Sequence, residues 1–457
     1  MLRVLIASHH FPPHYVAGAE QYAYRLARWL VHQGHEAEVV CVESIDYGDS
    51  PEPICTEDHY DGIAVHRLQF NLGTVSDPFR WSYWNPAIGE WLGEFLADRD
   101  FDLVHVNSSY LLSVSPIETA KDLGLPVVLT LHDYWFLCPR ISLLHPDGTL
   151  CQGPESAMHC AWCRMTEQRR YRLLDVTTQR KLGSAVMRWS RRATMRRLLG
   201  LDRWLPAMRD RRATVNHALQ RVDTVVSLSR FLSDKHAEYG LRPRRVVSIG
   251  FGMDPLRFPS QIGPRIHMDA AGRPDLGLRI GYLGQLAPHK GIETLVRAFN
   301  WLRTRPPHEN GQRLRLEVHG GFGHHVKYER RIRRLAAGNP AIQFFGRYEN
   351  HRVGEILSGL DAIVVPSVWY ENRPTVILEA LAARTPVIGS AIGGIPELVN
   401  HKINGLLFEP GDSLDLAKQI RCLLDEPSLL SRLHDNIGPV KTVEQEMAEL
   451  MQVYESV

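Results

Sequence analysis

The sequence predicts an α/β protein made of two doubly wound, Rossmann-like domains. Two patterns predict it. Short apolar runs alternate with amphipathic helical stretches in both halves of the chain, as expected of parallel strands joined by crossover helices. Between the halves lies a proline-rich, irregular stretch with the composition of a domain boundary. At 457 residues the chain is long enough to fill two cores. The expected division is an N-terminal domain over 1–254, a linker over 255–276, a C-terminal domain over 277–430, and a final stretch, 431–457, carrying one more helix.

In the first domain, residues 2–7 read as a strand buried on both faces. The loop SHHFPPHYVAG follows, then a helix over about 19–33, closed by Gly34, and a strand over 36–42. Further strands are expected at 64–70, 103–107 and 127–131. Residues 81–96 read as one helix, with Trp84, Ile88, Trp91, Leu92 and Phe95 on a core-facing side. The strand at 127–131 ends in Thr130-Leu131-His132-Asp133, so His132 sits where parallel sheets present functional residues. His9 and His10 are further candidates for the same cleft. The domain closes with a strand at 224–228, Ser229-Arg230 at its end, a helix at 231–239 and a strand at 246–249.

An insertion interrupts this pattern over 138–163. Cys138, Cys151, Cys160 and Cys163 have the spacing C-x12-C-x8-C-x2-C in a stretch rich in Gly, Pro and His. Four thiolates can close a tetrahedral zinc site, with His145 and His159 as substitutes. Free thiols and an iron–sulfur cluster are the alternatives. The segment 164–215 is strongly basic, with fifteen Arg or Lys against four Asp or Glu, and interleaves Met187, Trp189, Met195, Leu198, Leu199, Leu201, Trp204 and Leu205. A solvated helical face packed on the domain explains it most simply. An interfacial helix on an anionic membrane surface is the second reading. Nucleic acid comes last, because no recognition motif accompanies the charge.

The second domain opens with a strand at 279–283 and the loop GQLAPHKG, whose Lys290 beside Gly291 is a natural clamp for a diphosphate. A helix from Ile292, a strand at 314–319, a turn GGFG and a strand at 342–345 leading to Gly346-Arg347-Tyr348 follow. Asp361 to Pro396 then forms a strand, a loop, a helix beginning at Pro374 and another strand. This unit carries two carboxylates, Glu371 in the loop and Glu379 in the helix. The start of that helix offers free N–H groups and a positive dipole end. Carboxylates on either side of a bound diphosphate can hold the hydroxyls of a sugar and of a ribose through charge-assisted bonds.

Apolar and charged fractions, 44% and 23%, are those of an ordinary soluble protein, and the net charge of +2 names no partner. The first apolar run is too short for a secretory segment, and no other stretch reaches the length of a membrane span. Seven unevenly spread cysteines do not form a secreted disulfide framework. The expected location is therefore the cytoplasm, and Asn107-Ser108-Ser109 carries no meaning as a glycosylation site.

Glu371 and Glu379 are separated by seven residues, and with VPS at 365–367, LEAL at 378–381, TPVI at 385–388 and GGIPELV at 393–399 the stretch resembles the Glu-x7-Glu signature of retaining glycosyltransferase family 4. Ala17-Gly18-Ala19-Glu20 is similar to that family's Gly-Gly-x-Glu loop, with one alanine substituted. The Thr-x-His-Asp pattern at His132 and Asn404-Gly405-Leu406 agree. The resemblance covers most of the chain and implies the GT-B fold: two doubly wound Rossmann-like domains facing across a cleft, a helix in 431–457 that crosses back to the N-terminal domain, and a nucleotide sugar held mainly by the second domain. It implies that the backbone at Gly18 approaches the donor diphosphate, that His132 contacts the sugar, that Glu371 positions it and that Glu379 binds the ribose. Lys290 matches the family's lysine. Gln285 stands where the family carries arginine, so either Arg230 or another residue supplies the missing charge, or affinity for the donor is lower. Tyr348, Asn372, Arg373, Pro374 and Thr375 complete the expected donor site.

The expected activity is glycosyl transfer, with retention and without a catalytic metal or cofactor. The donor is a nucleotide-diphosphate sugar, UDP- or GDP-linked, and the acceptor a hydroxyl of a glycan or lipid-linked glycan. A lipid-linked acceptor would suit a protein associated with the cytoplasmic face of a membrane. Two other classes compete: a sugar-nucleotide epimerase of the same fold, against which the intact Glu371/Glu379 pair argues, and an inactive nucleotide-sugar or glycan-binding scaffold, motivated by Gln285.

Overall fold

The computed structural model describes residues 1–178, 200–254, 257–258, 267–268, 274–275, 277–304, 314–323 and 325–457. Residues 179–199 of the basic segment, with Met187, Trp189, Met195, Leu198 and Leu199, lie outside the described residues, as does most of the 255–276 linker. The chain divides into two compact units, one formed by Met1–Ile249 with Met447–Val457, the other by Gly250–Glu446.

Among the described residues the first unit holds eight strands: β1 (Arg3–Ser8), β2 (Glu36–Ser44), β3 (Ile54–Tyr60), β4 (Ile63–Gln69), β5 (Leu103–Val106), β6 (Val127–Leu131), β7 (Thr224–Ser227) and β8 (Val246–Ser248). They run in the order β3-β4-β2-β1-β5-β6-β7-β8. All pairs are parallel except β3 with β4. β5 and β6 are buried throughout, and β1 from Val4 on, as expected of central strands covered on both faces. The strand direction of growth reverses beside β1, whose neighbours are β2 and β5. The loops after β1 and β5 therefore open at a topological switch point, where such folds bind ligands.

Two local features depart from the sequence reading. Residues 81–96 do not form one helix. A short turn, Pro78–Trp81, and a helix, Pro86–Ala97, replace it. Pro86 bars its predecessor from helical geometry, and Asn85 instead caps the second helix by accepting Ile88 N–H at 3.1 Å. Ile88, Leu92 and Phe95 are buried as expected, but Trp84 lies between the two pieces and is exposed. The second feature is β3, paired antiparallel with β4 through Asp61-Gly62, both at positive φ (52° and 78°). An Asp-Gly pair between strands is a hairpin signal.

The second unit holds a six-stranded parallel sheet and a two-residue antiparallel ladder of β9 (His267–Met268) with β10 (Pro274–Asp275). The sheet strands are β11 (Leu278–Leu283), β12 (Leu314–His319), β13 (Ile342–Gly346), β14 (Ala362–Val365), β15 (Val387–Ser390) and β16 (Gly405–Phe408), in the order β13-β12-β11-β14-β15-β16. One core includes Ile280, Leu295, Phe299, Leu316, Val364, Ile388 and Phe408. Here the switch point lies between β11 and β14. The final helix, Val443–Tyr454, ends on the first unit's own strands: His105 of β5 meets the Tyr454 hydroxyl through Nδ1 at 2.5 Å and Thr130 through Nε2 at 2.8 Å.

Candidate active site

In the second unit, the loops leaving β11 and β14 are laced together. Val368 N–H donates to the His289 carbonyl at 2.9 Å. Gly291, at φ +72°, lies against Pro366, where a β-carbon would meet the Pro366 carbonyl oxygen at 1.7 Å. Only glycine fits there. This brings Lys290 and Glu371, far apart in sequence, into a 2.7 Å ion pair. The Ser367 hydroxyl donates to the same Glu371 oxygen at 2.6 Å. Glu371 is buried, which alone would raise its pKa; the Lys290 ammonium and the bonds from Lys290 and Ser367 outweigh this and hold the carboxyl below its usual range. Lys290 is half-buried, with its ammonium 5.1 Å from the Trp369 ring centre. His289 packs edge-on to Trp369 at 4.8 Å, and burial with Lys290 nearby lowers its pKa to about 4.

Glu379 is half-buried on the Thr375–Ala382 helix. Burial raises its pKa, and the charge of Arg257 opposes the rise. Tyr348, also half-buried, faces the Glu379 charge, and its hydroxyl is pushed up to about 12, chiefly by burial. His319 joins Tyr348 at 6.3 Å and stacks on Phe345 at 4.7 Å, forming an aromatic group beyond β12 and β13. Pro374 caps the Thr375–Ala382 helix without a side-chain bond. Asn372 and Pro374 are partly buried and Thr375 is exposed. Gln285 is exposed beside Gly323. Arg373 is partly buried. Its guanidinium lies where a β-carbon on Gly250 would be, 2.4 Å away, within the field of Glu397 and Glu446.

In the first unit, His132 at the end of β6 donates from Nε2 to Asn107 Oδ1 at 2.8 Å. The direction follows from the amide, whose Nδ2 is committed to Ser8 Oγ at 3.2 Å and to the Ala19 carbonyl at 3.0 Å. Burial, with His9 and His105 nearby, lowers the His132 pKa to about 3, so the ring is neutral. Tyr22 packs edge-on to it at 4.9 Å. The Gly18–His32 helix thus reaches His132 through Asn107 and Tyr22. Glu20 is buried and pairs with His9 Nε2 at 3.1 Å. His10 bonds the Val42 carbonyl at 2.6 Å and stacks on Tyr15 at 3.7 Å. Gly18 is exposed, and a β-carbon there would meet nothing within 4 Å. Arg230 is exposed at the start of the Arg230–Glu238 helix.

Asn107, Glu20 and Ser367 were not named as site residues from the sequence, although Glu20 and Ser367 lie in the motifs quoted there. Asn107 was readable only as one residue past a strand end. Nothing in the sequence linked Ser367 to Glu371 beyond their spacing of four. Around the cysteines, His145, Cys151 and His159 bring their ligand atoms within 4.8 Å of one another, and Cys138, Cys160 and Cys163 line the adjoining cavity with Cys151.

Known proteins agree with this fold. Residues 16–257 match the model of Glycosyltransferase Family 4, and residues 267–438 that of Glycosyl transferases group 1. The chain belongs to Glycosyltransferase Family 4 and is a glycosyltransferase with the GT-B fold. It is 23% identical to a glycogen synthase of Mycobacterium tuberculosis, over 94% of this chain and 88% of that one. It is 33% identical to a D-inositol 3-phosphate glycosyltransferase of Stackebrandtia nassauensis, over 43% of this chain and 44% of that one. Among solved structures it resembles HepE of Anabaena in complex with UDP and glucose (TM-score 0.63, 17% identity, all of both chains). It also resembles sucrose-phosphate synthase of Thermosynechococcus elongatus (TM-score 0.64, 19% identity, all of this chain and 99% of that one). Among the described residues no helix is long and apolar enough to cross a membrane.

Proposed function

We propose that the chain transfers a hexosyl group from a UDP- or GDP-sugar to a hydroxyl of a glycan or lipid-linked glycan, with retention at the anomeric carbon and without a catalytic metal. The observation that carries this reading is the Lys290–Glu371 pair at the switch point of the second unit. Glu371 stays ionised, and one of its oxygens is already held by two donors. It serves as a fixed acceptor for sugar hydroxyls. Lys290 supplies the positive charge that a leaving diphosphate needs, together with the first N–H groups of the Thr375–Ala382 helix. Glu379 beside Tyr348 suits the ribose and base. Neutral His132 in the first unit suits contact with a sugar ring.

The test is a binding and transfer screen of the full-length protein against UDP-, GDP-, ADP- and TDP-sugars, with Glu379→Ala in parallel. The reading expects one nucleotide class to raise the melting temperature of the wild type but not of the variant. It expects the anomeric configuration of the product, read by NMR, to match that of the donor. Absence of any nucleotide response sinks it, as does an inverted product.

A further inference from the structure

Residues 138–165, inserted after β6, form a lobe that packs on the Leu201–Arg221 helix. One face of its Ala157–Met165 helix packs through Ala161, Trp162 and Met165 on Leu201 and Met208. The remainder, from Cys138 to Ser156, is turns and a hairpin. A segment this short and irregular needs a staple besides apolar burial. No disulfide supplies one, since none of the seven cysteines is bridged.

The lobe instead gathers metal-ligating groups. A tight turn at Gly148 (φ +86°) closes a hairpin in which His145 N–H donates to the Thr149 carbonyl at 2.8 Å and Cys151 N–H to the Leu143 carbonyl at 2.8 Å. Its two arms hold His145 and Cys151 side by side. Across from them the Ala157–Met165 helix, capped by Ser156, presents His159, with its Nε2 3.7 Å from Cys151 Sγ. The His145 and His159 rings lie 5.7 Å apart. One helical turn beyond His159, on the same face, stands Cys163, which lines the same cavity as Cys151 and His159.

We propose that this cluster is a structural site for a zinc-type divalent cation, with His145, Cys151, His159 and Cys163 as its ligands. Two thiolates and two neutral imidazoles balance the charge of the ion. No net charge is then left in a half-buried pocket, and the set is one that zinc favours. The site revises the four-cysteine reading: the tight group is His145, Cys151 and His159, and of the other three cysteines lining the cavity Cys163 is taken as the fourth ligand because it stands one helical turn from His159 on the same face, whereas Cys138 and Cys160 do not. Its place in the fold gives it a consequence. Buried Arg211, on the Leu201–Arg221 helix that carries the lobe, donates to the Trp135 carbonyl, and Trp135 N–H donates to Asp133 Oδ1 at 2.7 Å. The helix on which the lobe packs therefore braces the loop that follows His132.

The experiment is metal analysis of the full-length protein after dialysis, followed by zinc release on thiol titration and by cobalt substitution. The expected result is one zinc per chain, a tetrahedral cobalt spectrum with thiolate charge-transfer absorption, and a lowered melting temperature on chelation. Cys151→Ser, Cys163→Ser and His159→Asn should each cut the retained zinc several-fold, whereas Cys138→Ser and Cys160→Ser should keep it. Because a ligand variant can fail to fold, the wild-type cobalt spectrum serves as an independent measure of thiolate number. A metal-free wild type with all thiols titratable overturns the site. A spectrum of four thiolates, or zinc lost in Cys138→Ser and Cys160→Ser but kept in His159→Asn, overturns the ligand set.

Discussion

Gly393 lies directly against the backbone of Glu371. A β-carbon at position 393 would meet the Glu371 carbonyl oxygen at 2.3 Å, and the next residue, Gly394, donates its N–H to that same oxygen at 2.7 Å. The paired glycines after β15 are thus the seat on which the carboxylate loop rests. Lys290 and Ser367 then fix the side chain from the other end. Position and ionisation of Glu371 are set by different residues, and they can be perturbed separately.

Lys290→Ala tests the ionisation and the leaving-group charge together. Turnover should fall by about 10²–10³, the usual effect of removing one preorganised electrostatic donor. The loss of folding stability should stay under about 3 kcal/mol, because Lys290 is half exposed and Ser367 remains on Glu371. Steady-state kinetics beside urea unfolding checks this. A variant with full activity removes Lys290 from the mechanism.

Glycine substitutions should separate fold from ligand. Gly18 carries no steric requirement from the chain itself, so Gly18→Ala should change stability by less than about 0.5 kcal/mol while weakening donor binding. Gly393→Ala, at φ +62° and in contact with Glu371, should destabilise by more than about 2 kcal/mol. Calorimetric binding and thermal melts distinguish the two. Unchanged donor affinity in Gly18→Ala would count against a backbone approach at that residue.

Acid should destabilise the first unit in a defined window. His105 and His132, lowered by burial to about 3, and His236, lowered to about 4, bind protons more readily in the unfolded chain, near 6.5. Their contribution is complete above pH 6.5 and is lost as pH falls from there toward those folded values, by roughly 1 kcal/mol per pH unit for each. His236→Gln should make the fall in melting temperature between pH 6.5 and 4.5 shallower. An unchanged slope would show that His236 is not buried neutral.

Tyr454→Phe removes a hydroxyl that is buried against His105. It should cost about 1–2 kcal/mol of stability and leave nucleotide affinity unaltered. Denaturant melts and donor titration give both numbers, and weakened nucleotide binding would mean that the helix end does more than hold the first unit together.

The parallel α/β architecture was legible because central strands announce themselves as apolar runs: 127–131, 314–319 and 362–365 are strands with the expected ends. The hairpin of β3 and β4 was missed because its half-exposed strand mixes polar and apolar residues, although Asp61-Gly62 marked the turn. The helix over 81–96 failed at Pro86, where a local rule outweighed periodicity. The site was legible where one short stretch carries it, as with Glu371 and Glu379. It was not where partners come from separate loops, as with Asn107 and His132.

By itself, then, the sequence determined the sheets, the glycine turns and the residue types at the strand ends, because burial pattern and backbone freedom are local properties. Tertiary structure decided the pairings. Lys290 meets Glu371 only because β11 and β14 are neighbours across a reversal of strand order, and Arg373 turns to Glu397 and Glu446 because Gly250 leaves room for it. His145, Cys151 and His159 converge because a hairpin and a helix face each other. Charge and ligand contacts act over a few ångströms in space, and sequence separation does not report such distances.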